Sequence, residues 1–262
     1  VIEEVEKALV NPHKVAADWV GRMGLPYERR DTEVVSADER PTDNHDDFYH
    51  ALLRVYADWG WDEAMILKHS PFRIADPLNN AILLRSNKEL LEIASELKKT
   101  DEETKIDGWI AKTSAGLESL WDEEDGLYYA KDLVDNSPIR VKTISSLVPL
   151  FSQGISQTNA DRLIAHIKQM KDEHPEMYMI PSVFPDEPEF DPLRYWRGSI
   201  WFFLNRFISE GAEYYGDRKL ANEINADIVR LAVISLNEYQ DPNSGKGLGA
   251  DNQSWTAAAA LD

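Results

Sequence analysis

The stretch IVRLAVISLNEYQDPNSGKGLGADNQSW, residues 228–255, joins an apolar run to a turn-rich loop. The run from Ile228 to Leu236 has helical spacing and leads to a carboxylate, Glu238. The loop that follows is rich in Asp-Pro, Asn and Gly, which favour turns and positive φ angles. It ends at Trp255, where a second helical run begins. A carboxylate beside a glycine-rich loop and an indole is typical of sugar-cleaving sites; a solvated carboxylate at a helix end is the alternative interpretation.

A second stretch, YWRGSIWFFLN at 195–205, concentrates aromatic side chains and one arginine around a glycine. Tyr195, Trp196 and Arg197 precede the glycine, and Trp201 follows it. Aromatic rings stack on the apolar faces of a pyranose, and a guanidinium fork holds oxygens in a fixed geometry. These four side chains are therefore candidates for sugar binding. Packing in the core is expected for the two remaining aromatic residues of the helical run, Phe202 and Phe203.

Together the two stretches resemble glycoside hydrolase family 63, especially its bacterial glucosylglycerate and mannosylglycerate hydrolase branch. Two upstream segments match that family in order and spacing: DPLNNAILLRSNKELLEIA at 76–94 and LWDEEDGLYYAKDL at 120–133. The resemblance covers residues 26–262. It implies that Glu238 is the catalytic base of an inverting reaction on an α-glycosidic bond. It also implies that the aromatic stretch and Trp255 bind a small glucoside or mannoside such as glucosylglycerate.

A loop near the N-terminus resembles the segment that closes over the substrate in the glucosylglycerate branch. Its candidate binding residues are Tyr27, Arg29 and Arg30, and the two arginines, with Gln253 as a polar partner, are candidates for an anionic leaving group. An exposed loop of ion pairs is the alternative. Asn80 lies in the first turn of a predicted helix, where the family carries an asparagine that faces the pocket. A polar residue that merely starts a helix is the other interpretation of Asn80.

The sequence shows no residue that matches the general acid of the family. In the family it is an aspartate within an aspartate-asparagine-serine-proline type motif that precedes the loop. The first 40 residues contain no such motif, and the nearest aspartates, Asp18 and Asp31, lack its flanking residues. We therefore expect residues 1–262 to carry the base but not the acid, and to be inactive alone. A helical-toroid protein that binds sugars or partners without catalysis is the alternative function.

The pattern of the whole chain predicts helices joined by short connections, with almost no strands. Helices are expected at 43–59, 62–69, 77–97, 101–121, 139–151, 156–171, 196–215, 218–236 and at the end of the chain, with one or two more within 3–23. This all-α pattern resembles the (α/α)6 toroid of six-hairpin glycosidases. Because about ten helices fall short of twelve, we expect a toroid incomplete at its N-terminus. Residues 1–262 would then be a single catalytic domain, the C-terminal portion of a longer chain.

Composition limits the class of protein. The chain has 262 residues, 43% of them hydrophobic, which is enough for a sizeable core. It has no cysteine, so a disulfide scaffold and a thiolate metal site are excluded. A formal net charge of -19 disfavours nucleic acid and anionic membranes as partners. We expect a cytoplasmic enzyme with a small carbohydrate substrate and without cofactor or metal; homo-oligomerisation is compatible with the sequence.

Overall fold

The computed structural model describes residues 10–24 and 28–261, which form two compact units. Of the described residues, those between 10 and 73 and those at 133–135 form the first unit, and those at 74–132 and 136–261 form the second. The predicted single domain over 1–262 stays a prediction. The helices are α1 (Pro12–Arg22), α2 (Asp43–Asp58), α3 (Glu63–His69), α4 (Pro77–Glu96), α5 (Thr100–Glu118), α6 (Gln157–Glu173), α7 (Phe202–Tyr214), α8 (Arg218–Ile234) and α9 (Ser254–Leu261).

In the first unit, α1 packs against α2. Val55 of α2 is buried and contacts Val15 of α1, which brings the apolar stripes of the two helices together. The short helix α3 begins as predicted, because the Asp62 carboxylate accepts a hydrogen bond from the Met65 N–H at 2.8 Å. Such a cap satisfies a backbone donor that the first turn would otherwise leave unpaired.

In the second unit, α4 packs against α5, α7 packs against α8, and α9 contacts both α7 and α8. One continuous apolar core joins these helices to α6 and includes Leu84, Leu163, Ile208 and Leu231, all fully buried. Helix α4 begins where the sequence predicts, since the Asp76 carboxylate caps it and Pro77 occupies its first turn. This core supports the face on which the candidate site lies.

The strands are short, and most of them form hairpins. They are β1 (Ile74–Ala75), β2 (Trp121–Asp122), β3 (Leu127–Tyr128), β4 (Ala130–Asp132), β5 (Pro138–Ile139), β6 (Tyr239–Gln240) and β7 (Gly247–Leu248). They pair as β1-β4-β5, β2-β3 and β6-β7, each pair antiparallel. Residues 123–126 form the turn between β2 and β3. The acids of this hairpin form ion pairs with two arginines, Asp122 and Asp125 with Arg140, and Glu123 with Arg162.

The predicted helix at 139–151 is wrong. The segment contains strand β5 and two 3-10 turns, Ile144–Ser146 and Val148–Ser152. Nearly every residue from 144 to 150 is buried, so the apolar pattern carries no helical face. Helix α7 also approaches closely here, because a Cβ added to Gly211 would lie 2.6 Å from the Leu150 backbone. Within the described residues, no helix is long and apolar enough to cross a membrane.

Candidate active site

The candidate base lies in a β-hairpin and not at a helix end. Helix α8 ends at Ile234, two residues before the predicted Leu236, because Ser235 adopts an extended conformation. Glu238 follows three non-helical residues and directly precedes β6. The expectation that a helix delivers this carboxylate is therefore wrong. The glycine-rich loop is as predicted, since it turns the chain back so that Tyr239 pairs with Leu248 and Gln240 with Gly247.

Both the backbone and the carboxylate of Glu238 are bonded to the returning strand. The Glu238 N–H donates to the Ala250 carbonyl at 2.8 Å. The Ala250 N–H donates to Oε2 of Glu238 at 3.3 Å. The side chain is only partly buried, so it remains reachable from solvent. A carboxylate that is held by a backbone donor and still partly exposed can accept a proton from water.

An aromatic cluster adjoins this carboxylate through Tyr239, the residue that follows it. The fully buried Tyr239 ring lies 5.0 Å from Trp201 and 5.5 Å from Tyr195. The Trp196 indole stacks on the Trp201 indole at 3.9 Å, with 6° between the planes. Trp201 is 3% exposed, whereas Trp196 is 39% exposed and presents a ring to solvent. The sequence predicted the two tryptophans and Tyr195; it missed Tyr239, whose only signal is its place beside Glu238.

The segment that carries this cluster is not helical up to Trp201. The predicted helix start at Trp196 is wrong, because α7 begins at Phe202 and the preceding residues form turns. Trp196 itself has a φ of 54°, which a helix cannot contain. Gly198 lies between Trp196 and Trp201 in the chain, and packing requires a glycine there. A Cβ at this position would lie 2.9 Å from the Asp191 carbonyl. These turns rotate the Trp196 ring onto Trp201.

The two phenylalanines predicted to lie in the core differ. Phe202 is 1% exposed and belongs to the core, as predicted. Phe203 is only partly buried, and its ring lies 5.4 Å from Trp255 and 6.5 Å from Trp196. It therefore connects Trp255, which is 53% exposed at the start of α9, to the aromatic cluster. The structure thus brings together most of the predicted aromatic residues.

The polar candidates of this unit make backbone contacts. Arg197 Nε donates to the Glu189 carbonyl at 2.8 Å. The Gln253 backbone N–H donates to the Leu236 carbonyl at 2.7 Å, which ties the start of α9 to the segment before Glu238. The Asn80 amide donates to the Asp76 carbonyl at 2.8 Å within the first turn of α4. That bond favours the helix-start interpretation of Asn80.

The remaining candidates belong to the first unit. Tyr27 lies outside the described residues. Arg29 donates to Asp31, to Asp43 and to the Pro41 carbonyl, and the guanidinium holds the pKa of Asp31 below its usual range. Arg30 is exposed, and Asp18 is exposed on α1. The alternative interpretation of this loop, a set of ion pairs, thus describes Arg29 well.

Trp201 has a polar atom that the fold does not use. Its Nε1–H is buried and has no hydrogen-bond partner among the described residues. A buried donor without a partner costs free energy unless a ligand satisfies it. The exposed Trp196 face can stack on a sugar ring, and the Glu238 carboxylate can accept a proton.

Comparisons with known proteins relate the chain to a family of glycoside hydrolases. Residues 9–256 match the family described as the mannosylglycerate hydrolase MGH1-like glycoside hydrolase domain. The mannosylglycerate hydrolase of Thermus thermophilus is 39% identical over 90% of this chain and 56% of its own length. The glucosylglycerate hydrolase of Mycolicibacterium hassiacum is 28% identical over 90% of this chain and 54% of its own length. The chain thus spans about half the length of the relatives it matches.

Solved structures agree with the sequence relatives. The family 63 mannosylglycerate hydrolase of Thermus thermophilus, in complex with Tris and D-glycerate, superimposes with a TM-score of 0.86. It is 38% identical and is covered over 57% of its chain, while 90% of this chain is covered. The predicted fold class, an all-α (α/α)6 toroid, is confirmed by this likeness. A neutral trehalase from Saccharomyces cerevisiae, 13% identical with a TM-score of 0.57, shares the fold alone. The chain therefore belongs to the mannosylglycerate hydrolase MGH1-like family of glycoside hydrolase domains, within glycoside hydrolase family 63.

Proposed function

We propose that this chain contributes to an inverting glycoside hydrolase that cleaves the α-glycosidic bond of mannosylglycerate or glucosylglycerate, with Glu238 as the general base. The observation that carries the proposal is the hairpin that holds the partly exposed Glu238 carboxylate next to Tyr239, whose ring packs against Trp201 and so against the stacked, 39% exposed Trp196. The named activities of the relatives support the substrate class. Mannosylglycerate is the preferred candidate, because the more similar relatives are named for it.

The proposed chemistry requires an ionised base on one face of the sugar and a protonated acid on the other. In an inverting enzyme the two carboxyl groups are about 6.5–9.5 Å apart, which leaves room for the attacking water. Glu238 would take the proton of that water as it attacks the anomeric carbon. Trp196 would stack on the sugar ring through its exposed face.

Of the two aspartates considered from the sequence, Asp31 does not suit the role of acid, and Asp18 lies exposed on α1. A general acid needs a raised pKa so that it stays protonated at the working pH. The pKa of Asp31 is lowered instead, because the Arg29 guanidinium favours the ionised carboxylate.

The glycerate group is an anion and requires a cation. Arg29 already contacts two carboxylates and a carbonyl, so the proposal relies on the exposed Arg30. Arg30→Ala should raise KM for mannosylglycerate roughly fivefold, since an exposed charge-assisted contact contributes on the order of 1 kcal/mol. KM for a neutral α-mannoside should stay unchanged. Arg22→Ala, another exposed arginine of the same unit, is the matched control. Equal effects on the anionic and neutral substrates would make Arg30 a structural residue.

The test of the function uses the protein that carries residues 1–262 at its natural length. Mannosylglycerate, glucosylglycerate and trehalose are supplied separately, and ¹H NMR follows the anomeric signal during the first turnovers. We expect release of the β-anomer from an α-linked glycerate substrate and little reaction with trehalose. First release of the α-anomer would contradict inversion. Binding of the sugars without turnover would instead favour the non-catalytic sugar-binding module.

A further inference from the structure

Three features of the second unit surround Glu238: a glycine and a backbone N–H lie at its carboxylate, and a buried threonine holds the carbonyl of the preceding residue. Gly249 lies opposite Glu238, one step beyond the paired residues of β6 and β7. It has a φ of 71°, in the left-handed region. A Cβ built on it would lie 2.8 Å from Glu238 Oε2 and 2.5 Å from Tyr239 Cε1. Any larger residue at this position must therefore displace the carboxylate or the Tyr239 ring.

Ala250, the residue after Gly249, makes two hydrogen bonds with Glu238. Ala250 accepts from the Glu238 N–H and donates to Glu238 Oε2. The left-handed conformation at Gly249 is what turns the chain so that one residue makes both bonds. Ala250 thus holds Glu238 through both its backbone and its side chain.

A third contact fixes the backbone immediately before Glu238. Thr256, 3% exposed in α9, donates from Oγ1 to the Asn237 carbonyl at 2.8 Å. Gln240 Nε2 donates to the same carbonyl at 3.3 Å. The Asn237 side chain also donates to Asp251 at 2.7 Å. Helix α9 therefore orients the peptide that links Asn237 to Glu238.

We propose that Gly249, the Ala250 N–H and Thr256 form a clamp that positions the Glu238 carboxylate for proton abstraction, an inference that rests on the function proposed above. None of the three acts on the substrate itself; they act through Glu238. A displacement of about 1 Å in a reacting group can cost roughly 100-fold in rate. Loss of the clamp therefore lowers kcat while the binding of substrate, reported by KM, stays nearly constant.

The first test compares two glycines with the same backbone strain. Gly249→Ala should lower kcat by roughly 100-fold, with KM within about threefold of the unaltered protein. Gly216→Ala is the matched control: Gly216 has a φ of 97°, and a Cβ there meets nothing within 4 Å. Both variants carry the penalty of a left-handed alanine, but only one displaces Glu238. A kcat for Gly249→Ala within about threefold of that for Gly216→Ala would overturn the clamp.

A milder pair of variants decides the question if Gly249→Ala fails to fold. Thr256→Val keeps the shape of the side chain and removes the donor to Asn237, and should lower kcat roughly tenfold at constant KM. Thr256→Ser keeps the donor and should restore kcat to within about threefold. An equal kcat for the valine and serine variants would contradict the proposal.

Failure of the clamp and failure of the proposed function give different results. If Glu238→Gln is inactive while the clamp variants keep full kcat, the base assignment stands and the clamp is wrong. If the unaltered protein turns over none of the substrates, the function is wrong, and crystal structures of Gly249→Ala decide the clamp. A Glu238 carboxylate displaced by about 1 Å or more supports it, and a carboxylate that keeps its bond to Ala250 overturns it.

Discussion

At the scale of the residue, the ion pair of Arg29 and Asp31 separates a structural carboxylate from a catalytic one. Two guanidinium nitrogens of Arg29 contact the two oxygens of Asp31, and a bidentate pair of this kind favours the ionised carboxylate. The pKa of Asp31 is lowered for this reason. The general acid of a glycosidase needs a raised pKa, so that it stays protonated. The same aspartate that the sequence offered as a candidate acid is therefore expected to act in stability.

Asp31→Asn should reduce stability at neutral pH and leave kcat within about threefold. Because the folded-state pKa lies below the unfolded value of about 3.9, the Asp31 contribution is complete above that value. It is lost as the pH falls through the folded pKa. The measurement is the free energy of unfolding of both proteins between pH 2 and 7. The difference should be constant above about pH 5 and shrink below about pH 4. A difference that grows on acidification would contradict this assignment.

At the scale of the element, the β6-β7 hairpin depends on glycines for contact and not only for turn conformation. A Cβ on Gly247 would lie 2.5 Å from Ser235 Oγ and within overlap distance of the Asn237 side chain. Gly247→Ala should therefore destabilise the protein by about 1–3 kcal/mol, as overpacking does. Gly116→Ala, inside α5 with open space around it, should stabilise by about 0.5–1 kcal/mol. Denaturant unfolding of both variants checks the opposite signs; stabilisation by Gly247→Ala would contradict the close packing.

How far the sequence predicts each element depends on whether one face is exposed. Helices α4 and α8 have alternating buried and exposed sides, so their periodicity predicts them, and Asp62 marks the start of α3 by its capping side chain. The segment 144–150 is buried on nearly all sides, so the same periodicity misleads. The turns before α7 could not be predicted, because they arise from the contact of Gly198 with Asp191 and from the left-handed Trp196.

The candidate site shows the same division between residue identity and position. Local sequence indicated Glu238, Trp196, Trp201 and Trp255 because of their chemistry and spacing. It missed Tyr239, whose buried ring packs against Trp201, and it placed Glu238 at a helix end. Both errors concern pairing between β6 and β7, a contact that periodicity does not report.

At the scale of the whole molecule, buried tyrosines limit stability at high pH. Burial raises the pKa of Tyr215 to about 12, and it also raises the pKa values of Tyr128 and Tyr129. A phenol with a raised folded-state pKa contributes stability below its unfolded value of about 10, and that contribution is lost as the pH rises toward the folded value. The free energy of unfolding should therefore fall between about pH 10 and 12.

Tyr215→Phe tests this alkaline limit. The Tyr215 hydroxyl donates to the Ile155 carbonyl at 3.0 Å and accepts from the Ile155 N–H at 3.2 Å. The variant should lose about 1–3 kcal/mol at pH 7, because two buried backbone groups lose their partner, and its stability should fall less between pH 10 and 12. Tyr214→Phe, at an exposed neighbour, is the control. An unchanged alkaline slope in Tyr215→Phe would exclude Tyr215 as a source of the decline.

The most direct test of the account is kcat of Glu238→Gln on mannosylglycerate, measured in the protein at its natural length. The amide keeps the size of the side chain but cannot accept the proton of the attacking water. We predict a fall in kcat of roughly 10²–10⁴ with KM within about threefold and an unchanged Tm. Glu213→Gln, at an exposed glutamate of the same unit, should retain full activity. A Glu238→Gln variant that keeps more than about a tenth of kcat would contradict Glu238 as the general base.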